Sequence, residues 1–175
     1  PGVAESFPPA SHSCIMAMGY NDLNRSREGM FTRLKALGYT IETYVHPAAG
    51  IYTQHPLGEG CVVLPNAVVE PHARVGADTF LWANTTVAHH ATVGDHCRVA
   101  SGAVLSGKAD VGRNSFTGVN ATIVNETSVC EYSIVGGAAP TRKCTNPTPV
   151  PPDRSAEPSR NPPEAYTTFF GSVIP

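Results

Sequence analysis

Charge is scarce in this chain of 175 residues: 15% of positions are Asp, Glu, Lys or Arg, and the formal net charge is -2. With a pI near 6.4 there is no basic footprint of the kind that tracks a phosphate backbone, so nucleic acid is not an expected partner. Long apolar runs are absent too. None approaches the roughly 20 residues that span a bilayer, and Pro1 to Pro9 lacks the charged-then-apolar pattern of a secretion signal. No membrane partner is expected, and the cytoplasm is the default compartment. The five cysteines (Cys14, Cys61, Cys97, Cys130, Cys144) are odd in number and include no CxxC pair, which favours reduced thiols over a disulfide framework. An initiator methionine is also missing, which reads as a processed or truncated form of something longer.

What is present is a period. Leu57, Val63, Val69, Val75, Leu81, Val87, Val93, Val99, Leu105, Val111, Thr117, Ile123, Val129 and Val135 hold successive sixth positions, and only Thr117 is not aliphatic. Against ordinary composition that run has a chance on the order of one in a million. Four residues after each aliphatic stands a small residue: Cys61, Ala67, Ala73, Thr79, Thr85, Ala91, Cys97, Ala103, Ala109, Ser115, Ala121, Thr127, Ser133 and Ala139. Both columns must point inward. A period of six fits neither a 3.6-residue helix nor a plain alternating strand; it fits a short strand and a turn, three times per triangular coil of eighteen residues. The small residue then sits at the corner, where a larger one would collide with the coil about 4.8 Å above. Gly58, Gly76, Gly94, Gly112, Gly118 and Gly136 follow the aliphatic, where tight corners are expected to favour a residue without Cβ.

The ends read differently. SCIMAM is a short apolar strand, Gly19-Tyr20-Asn21 a turn, and residues 22–37 an amphipathic helix with Leu23, Met30, Phe31, Leu34 and Leu37 on one face, stopped by Gly38. TIETYVH resumes as a strand, completing a small β-α-β unit. The last 30 residues hold eight of the sixteen prolines, which argues against regular sheet and for an extended strap or a disordered tail lying along the coils. The expected division is an α/β substrate-binding remnant over 1–50, the coils over 51–145 and the Pro-rich tail over 146–175.

The [LIV]-G-x-x-[small]-x pattern resembles the hexapeptide-repeat transferases, which implies an all-β fold: a left-handed parallel β-helix that associates as trimers. Within that group, MAMGYNDLNRSREGMFTRLKALGYTIETYVHPAA and AHHATVGDHCRVASGAVLSGKADVGRNSFTGVNATI resemble the sugar acetyltransferases of bacillosamine, perosamine and sialic acid pathways, over residues 14 to about 140. The resemblance implies acetyl transfer from acetyl-CoA to an amino group or hydroxyl of a nucleotide-linked sugar, in surface polysaccharide or glycan synthesis. It implies no metal. Members usually begin with a further β-α segment whose Gly-rich turn holds the sugar nucleotide, and this sequence does not show it.

By the same resemblance His89, in TVAHHATVG, matches the general base. The chemistry asks for one: a sugar amine is mostly ammonium at neutral pH, and an imidazole with an ordinary pKa of about 6.5 suits the removal of its proton. Gly107 stands eighteen residues on, one coil above His89, and is expected to leave the space over the imidazole open. His90 shares a column with His72, Lys108 and Glu126, which reads first as a solvated ladder. The bacillosamine-pathway relative carries a carboxylate where His90 stands, so Asp95 or a carbonyl is the expected substitute for orienting His89. Trp82, Asn84, His90 and Asn21 are the substrate-side candidates, although Trp82 also suits a trimer interface and Asn84 a bridge to Asn66. For the cofactor, the matching main-chain positions are Val119 and Gly137, with Gly107 beside them, and Arg142 and Lys143 are placed to meet a CoA phosphate.

Two other readings remain open on the sequence. A γ-type carbonic anhydrase shares such coils but holds zinc with three histidines, two of them five residues apart, and no pair among His12, His46, His55, His72, His89, His90 and His96 has that spacing. A non-catalytic trimeric scaffold is the third.

Overall fold

Two inward columns repeating every six residues leave one economical solution, and a computed structural model of the chain shows it. The structure describes residues 2–138, 140–141 and 167–169. After a short helix at Val3–Ser6 and a longer one at Arg25–Ala36, the chain winds into a left-handed parallel β-helix of about five turns. The first of its three faces stacks Tyr44–Val45, Val62–Val63, Phe80–Leu81, Arg98–Val99, Phe116–Thr117, Ser133–Val135 and Thr167–Phe169. On the second face lie Gly50–Ile51, Val68–Val69, Thr86–Val87, Val104–Leu105, Thr122–Ile123 and Pro140–Thr141. The third carries Arg74–Val75, Thr92–Val93, Asp110–Val111 and Ser128–Val129.

Register is eighteen throughout the coils, as in Val68↔Thr86 and Val104↔Thr122, with rung-to-rung bonds such as Val68 N–H to the Thr85 carbonyl at 2.8 Å. The phase of the repeat is as expected. From Val63 to Val135 the aliphatic column is buried at every position, Thr117 included, and the small column is buried from Cys61 to Ser133. Ala139 lies outside the described residues.

Three expectations need correction. The glycines after the aliphatics precede the tight corner and do not form it; its left-handed residue falls two positions later, in the column of Asn66, His72, Asp78, Asn84, His90, His96, Lys108, Asn114, Asn120, Glu126, Tyr132 and Ala138. What excludes a Cβ there is the coil above: at Gly94 it would stand 2.7 Å from the Arg113 amide nitrogen. Second, the apolar face docks only in part: Leu23, just before the helix, is buried and Phe31 meets His96 edge to face, but Met30 is 36% and Leu37 47% exposed, and the residue buried within the helix is Arg27. Third, regular sheet does occur beyond residue 145, because Thr167–Phe169 pairs in parallel with Ser133–Val135.

The helix sits on the column of left-handed corners between the third and first faces. Arg27 Nε donates to Asp78 Oδ2 at 2.9 Å and Nη2 to the Asp78 and Cys97 carbonyls, at 2.6 and 3.1 Å. His96 Nδ1 also meets Asp78 Oδ2 at 2.9 Å, Glu28 accepts from Asn114 Nδ2 at 3.0 Å, and Arg113 pairs with Glu28. Gly38, at φ 89°, ends the helix as expected, with its N–H on the Lys35 carbonyl at 2.9 Å. SCIMAM contributes a single parallel bridge, Cys14 to Ile41.

Thiol chemistry is mixed. Cys14, Cys61 and Cys97 are free, and burial pushes the Cys61 thiol up to about 11 and that of Cys97 to about 12. Cys130, however, is disulfide-bonded, which corrects the expectation of reduced thiols at that position; Cys144 lies outside the described residues.

Candidate active site

His89 and His90 form the exposed turn between the second and third faces. The turn is tight because His90 takes the left-handed conformation, φ 59°. Glu70, nearly one coil below, accepts the His89 main-chain N–H at 2.8 Å through Oε2. Above the ring lies Gly107. A Cβ built there would be 2.6 Å from His89 Cε1 and 2.7 Å from Nε2, so the imidazole itself fills the space that was expected to stay open. The main chain is thus fixed by a carboxylate from below and the ring lies against a glycine above, which holds an exposed imidazole at one place on the coil.

The orienting group is not Asp95. That carboxylate sits at the corner between the third and first faces, where Oδ1 accepts from the Ala77 N–H at 2.7 Å. The nearest group to the His89 ring is its neighbour: the two Nδ1 atoms are 3.3 Å apart and the rings meet edge to face. His90 in turn stacks on His72, ring centroids 4.6 Å apart. Its imidazole is held below the ordinary histidine range, first by desolvation, then by the nearby His72, His89 and Lys108. Lys108 pairs with Glu126 at 3.0 Å, so the expected ladder exists and its lower half leans on the His89 turn.

Trp82 lies on the first face's exit, half-buried under the Arg98 guanidinium at 4.6 Å, and its indole N–H is buried without a hydrogen-bond partner among the described residues. Arg98 also covers Tyr20, at 5.0 Å. Asn84 is exposed, at the left-handed corner one coil above Asn66, and its main-chain N–H bonds the Pro65 carbonyl at 3.1 Å. Asn21 is exposed in the loop before the helix. Val119, 54% exposed, stands directly under Gly137 at the corner between the first and second faces, where the Val119 carbonyl accepts the Ala138 N–H at 2.9 Å. Arg142 and Lys143 lie outside the described residues. Within one chain, therefore, His89 and Gly107 occupy one edge of the second face, and Val119 and Gly137 the other.

Glu70 and Gln54 were not singled out by sequence, although the coil period pointed to both: Glu70 precedes His89 by nineteen residues and Gln54 precedes His72 by eighteen. Among the described residues no group of three or more His, Cys, Asp or Glu side chains is placed to hold a metal ion, and no helix is long and apolar enough to cross a membrane.

Comparison with known proteins follows this geometry. Residues 72–107 match the family described as bacterial transferase hexapeptide (six repeats). The acetyltransferase domain of PglB from Neisseria gonorrhoeae, solved in complex with acetyl coenzyme A, superposes with a TM-score of 0.75 at 26% identity, covering 79% of this chain and 66% of that one. A perosamine N-acetyltransferase variant from Caulobacter crescentus, in complex with CoA and GDP-perosamine, gives 0.71 at 23% identity, over 75% and 61%. WeeI from Acinetobacter baumannii gives 0.70 at 22%, over 77% and 65%. This chain thus spans about two thirds or less of the length of these structures. No curated protein sequence matches significantly. The chain is thus a left-handed β-helix whose residues 72–107 match the bacterial transferase hexapeptide model and whose coils superpose on those of the PglB acetyltransferase domain.

Proposed function

We propose that this chain transfers the acetyl group of acetyl-CoA to an amino group, or a hydroxyl, of a nucleotide-linked sugar destined for a surface polysaccharide or glycan, with His89 as general base. The carrying observation is the His89 ring seated on Gly107 with its main chain anchored by Glu70, on the fold of a 26% identical acetyltransferase domain that binds acetyl-CoA. In the reaction the acceptor nitrogen bonds the acyl carbon as the thioester C–S bond breaks. The acceptor's proton passes to His89 and then to the departing sulfur, leaving CoA as the thiol.

The working unit is a homotrimer. Val119 and Gly137, proposed to line the pantetheine arm, lie across the second face from His89, so a site that uses both edges needs a second copy to bring its own edge alongside. Trp82, Asn84 and Asn21 serve the acceptor sugar, and Arg142 the CoA phosphates. Residues 1–50 act on the substrate side, 51–145 on the acetyl-CoA side and 146–175 as a tail. The proposed compartment is the cytoplasm. The three free thiols fit a reducing setting, and the disulfide at Cys130 is the observation against it.

A panel of nucleotide-linked amino sugars is incubated with acetyl-CoA, and acetylated product is followed by mass spectrometry alongside His89→Ala. Turnover in the wild type, reduced about 100- to 10,000-fold in the variant, supports the reading. Full activity in His89→Ala removes histidine base catalysis, and no acetyl-CoA binding at all favours a scaffold.

A further inference from the structure

A second histidine lies against the ring of His89. The amide of Gln54 sets the protons of the ladder: its Oε1 accepts the His72 main-chain N–H at 3.2 Å, so its Nε2 donates to His72 Nδ1. A ring that accepts at Nδ1 is neutral there, and it is this ring that stacks on His90. The Nδ1 atoms of His89 and His90, 3.3 Å apart, can share only one proton favourably. If His90 held it, His89 would spend its Nδ1 lone pair accepting and carry its own proton on Nε2, the nitrogen beside Gly107. If His89 holds it, Nε2, beside Gly107, keeps its lone pair.

We propose, on the functional reading above, that His90 is a positioning residue: a neutral imidazole whose Nδ1 lone pair accepts the Nδ1–H of His89 and fixes the tautomer in which Nε2 receives the acceptor's proton. In many acyl-transfer sites a carboxylate takes this place. Here the carboxylates are otherwise engaged, Glu70 with the His89 main chain and Glu126 with Lys108. The charged and titratable groups facing His90 are His72, His89 and Lys108, and each of them opposes its protonation, which keeps His90 an acceptor. Protonation of His90 turns its Nδ1 into a donor and ends the arrangement, so activity needs both rings neutral before acetyl transfer.

Two measurements separate this proposal from the functional reading beneath it. Long-range proton–nitrogen NMR on the 15N-labelled full chain reads the tautomer whether or not a substrate is known. The Nδ1–H form of His89 is expected in the wild type, with a shift towards Nε2–H in His90→Ala. In kinetics, His90→Ala is expected to lower kcat about tenfold, the low end for groups that orient a reactive imidazole, with KM for acetyl-CoA unchanged. His90→Asn restores an oxygen acceptor in a residue that tolerates the left-handed corner, as Asn66 and Asn84 do, and should recover most of the loss. His90→Glu should keep activity while moving the acid limb of the pH–rate profile to higher pH, because a carboxylate stabilises the His89 imidazolium. An Nε2–H wild-type ring, or a tautomer and pH profile unchanged in His90→Ala, overturns the proposal. A wild-type chain that acetylates no acceptor overturns the functional reading and leaves the NMR result to decide the pair.

Discussion

Arg27 and Asp78, fifty-one residues apart, form an ion pair at 2.9 Å in which neither side chain has any solvent exposure. The pair is the bolt between the helix and the coils, and the Arg27 guanidinium also lies over Phe80 at 4.7 Å. Removing Arg27 leaves Asp78 buried with His96 as its remaining side-chain partner and strips the Asp78 and Cys97 carbonyls of a donor, in a low-dielectric site. Arg27→Ala should therefore cost about 3–5 kcal/mol, read as a lowered urea midpoint. A change under about 1 kcal/mol, the scale of an exposed pair, would contradict the burial.

Ala91 occupies a fully buried corner. Ala91→Leu should overpack the coil and destabilise by about 1–3 kcal/mol, whereas Asp110→Ala, on the exposed third face, should be close to neutral by thermal melting. Arg113, which looks like a bland surface control in the sequence, is unsuitable because it pairs with Glu28 on the helix. Equal melting temperatures for the two variants would put the repeat phase in error.

Cys97 and Cys61 predict an alkaline weakness. Burial, the first cause in both, favours the uncharged thiol, so the folded chain keeps its protons up to about 12 and about 11, above the ordinary value of 9.0. Their contribution to stability is complete below pH 9.0 and is lost as pH rises from there towards the folded values. Urea midpoints should fall between pH 9 and 11 less steeply in Cys97→Ala than in the wild type. At pH 8 iodoacetamide should label Cys14 well before either; labelling of Cys97 at the rate of Cys14 would refute it.

Gly107→Ala tests the seat of the base without touching the base. The new methyl would overlap His89 Cε1 and Nε2, and the exposed ring can yield only by swinging away. Turnover should drop about 100-fold, the loss expected when a reacting group is displaced by about 1 Å, while the melting temperature stays near that of the wild type. Unchanged turnover would mean that the ring's place on the glycine is incidental.

The coil was legible because a period of six with small corners admits few other folds, and Val63 and Cys61 mark its phase as well as any later pair. The helix dock was not. Of the expected face Leu23 is buried but Met30 and Leu37 are exposed, and within the helix the buried residue is Arg27; a charge reads as surface until its partner is known. Asp78 gives no local sign of being that partner, since it sits at a corner where asparagine, histidine, lysine and tyrosine serve elsewhere in the same column type. His90 stood out in the sequence as a candidate beside His89, but that its ring lies against both His89 and His72 was not legible, because its backbone place is that of any left-handed corner.

A stack of equivalent rungs has no length of its own, because each finished coil offers the next the same row of unpaired amides and carbonyls. Such an edge invites another chain as readily as its own continuation. On the first face the edge at Ser133–Val135 is taken by Thr167–Phe169, which arrives thirty-four residues later instead of the eighteen that every earlier rung obeys. The place that a second chain could take against Ser133–Val135 is therefore already filled from within, by a segment that does not follow the coil's own count.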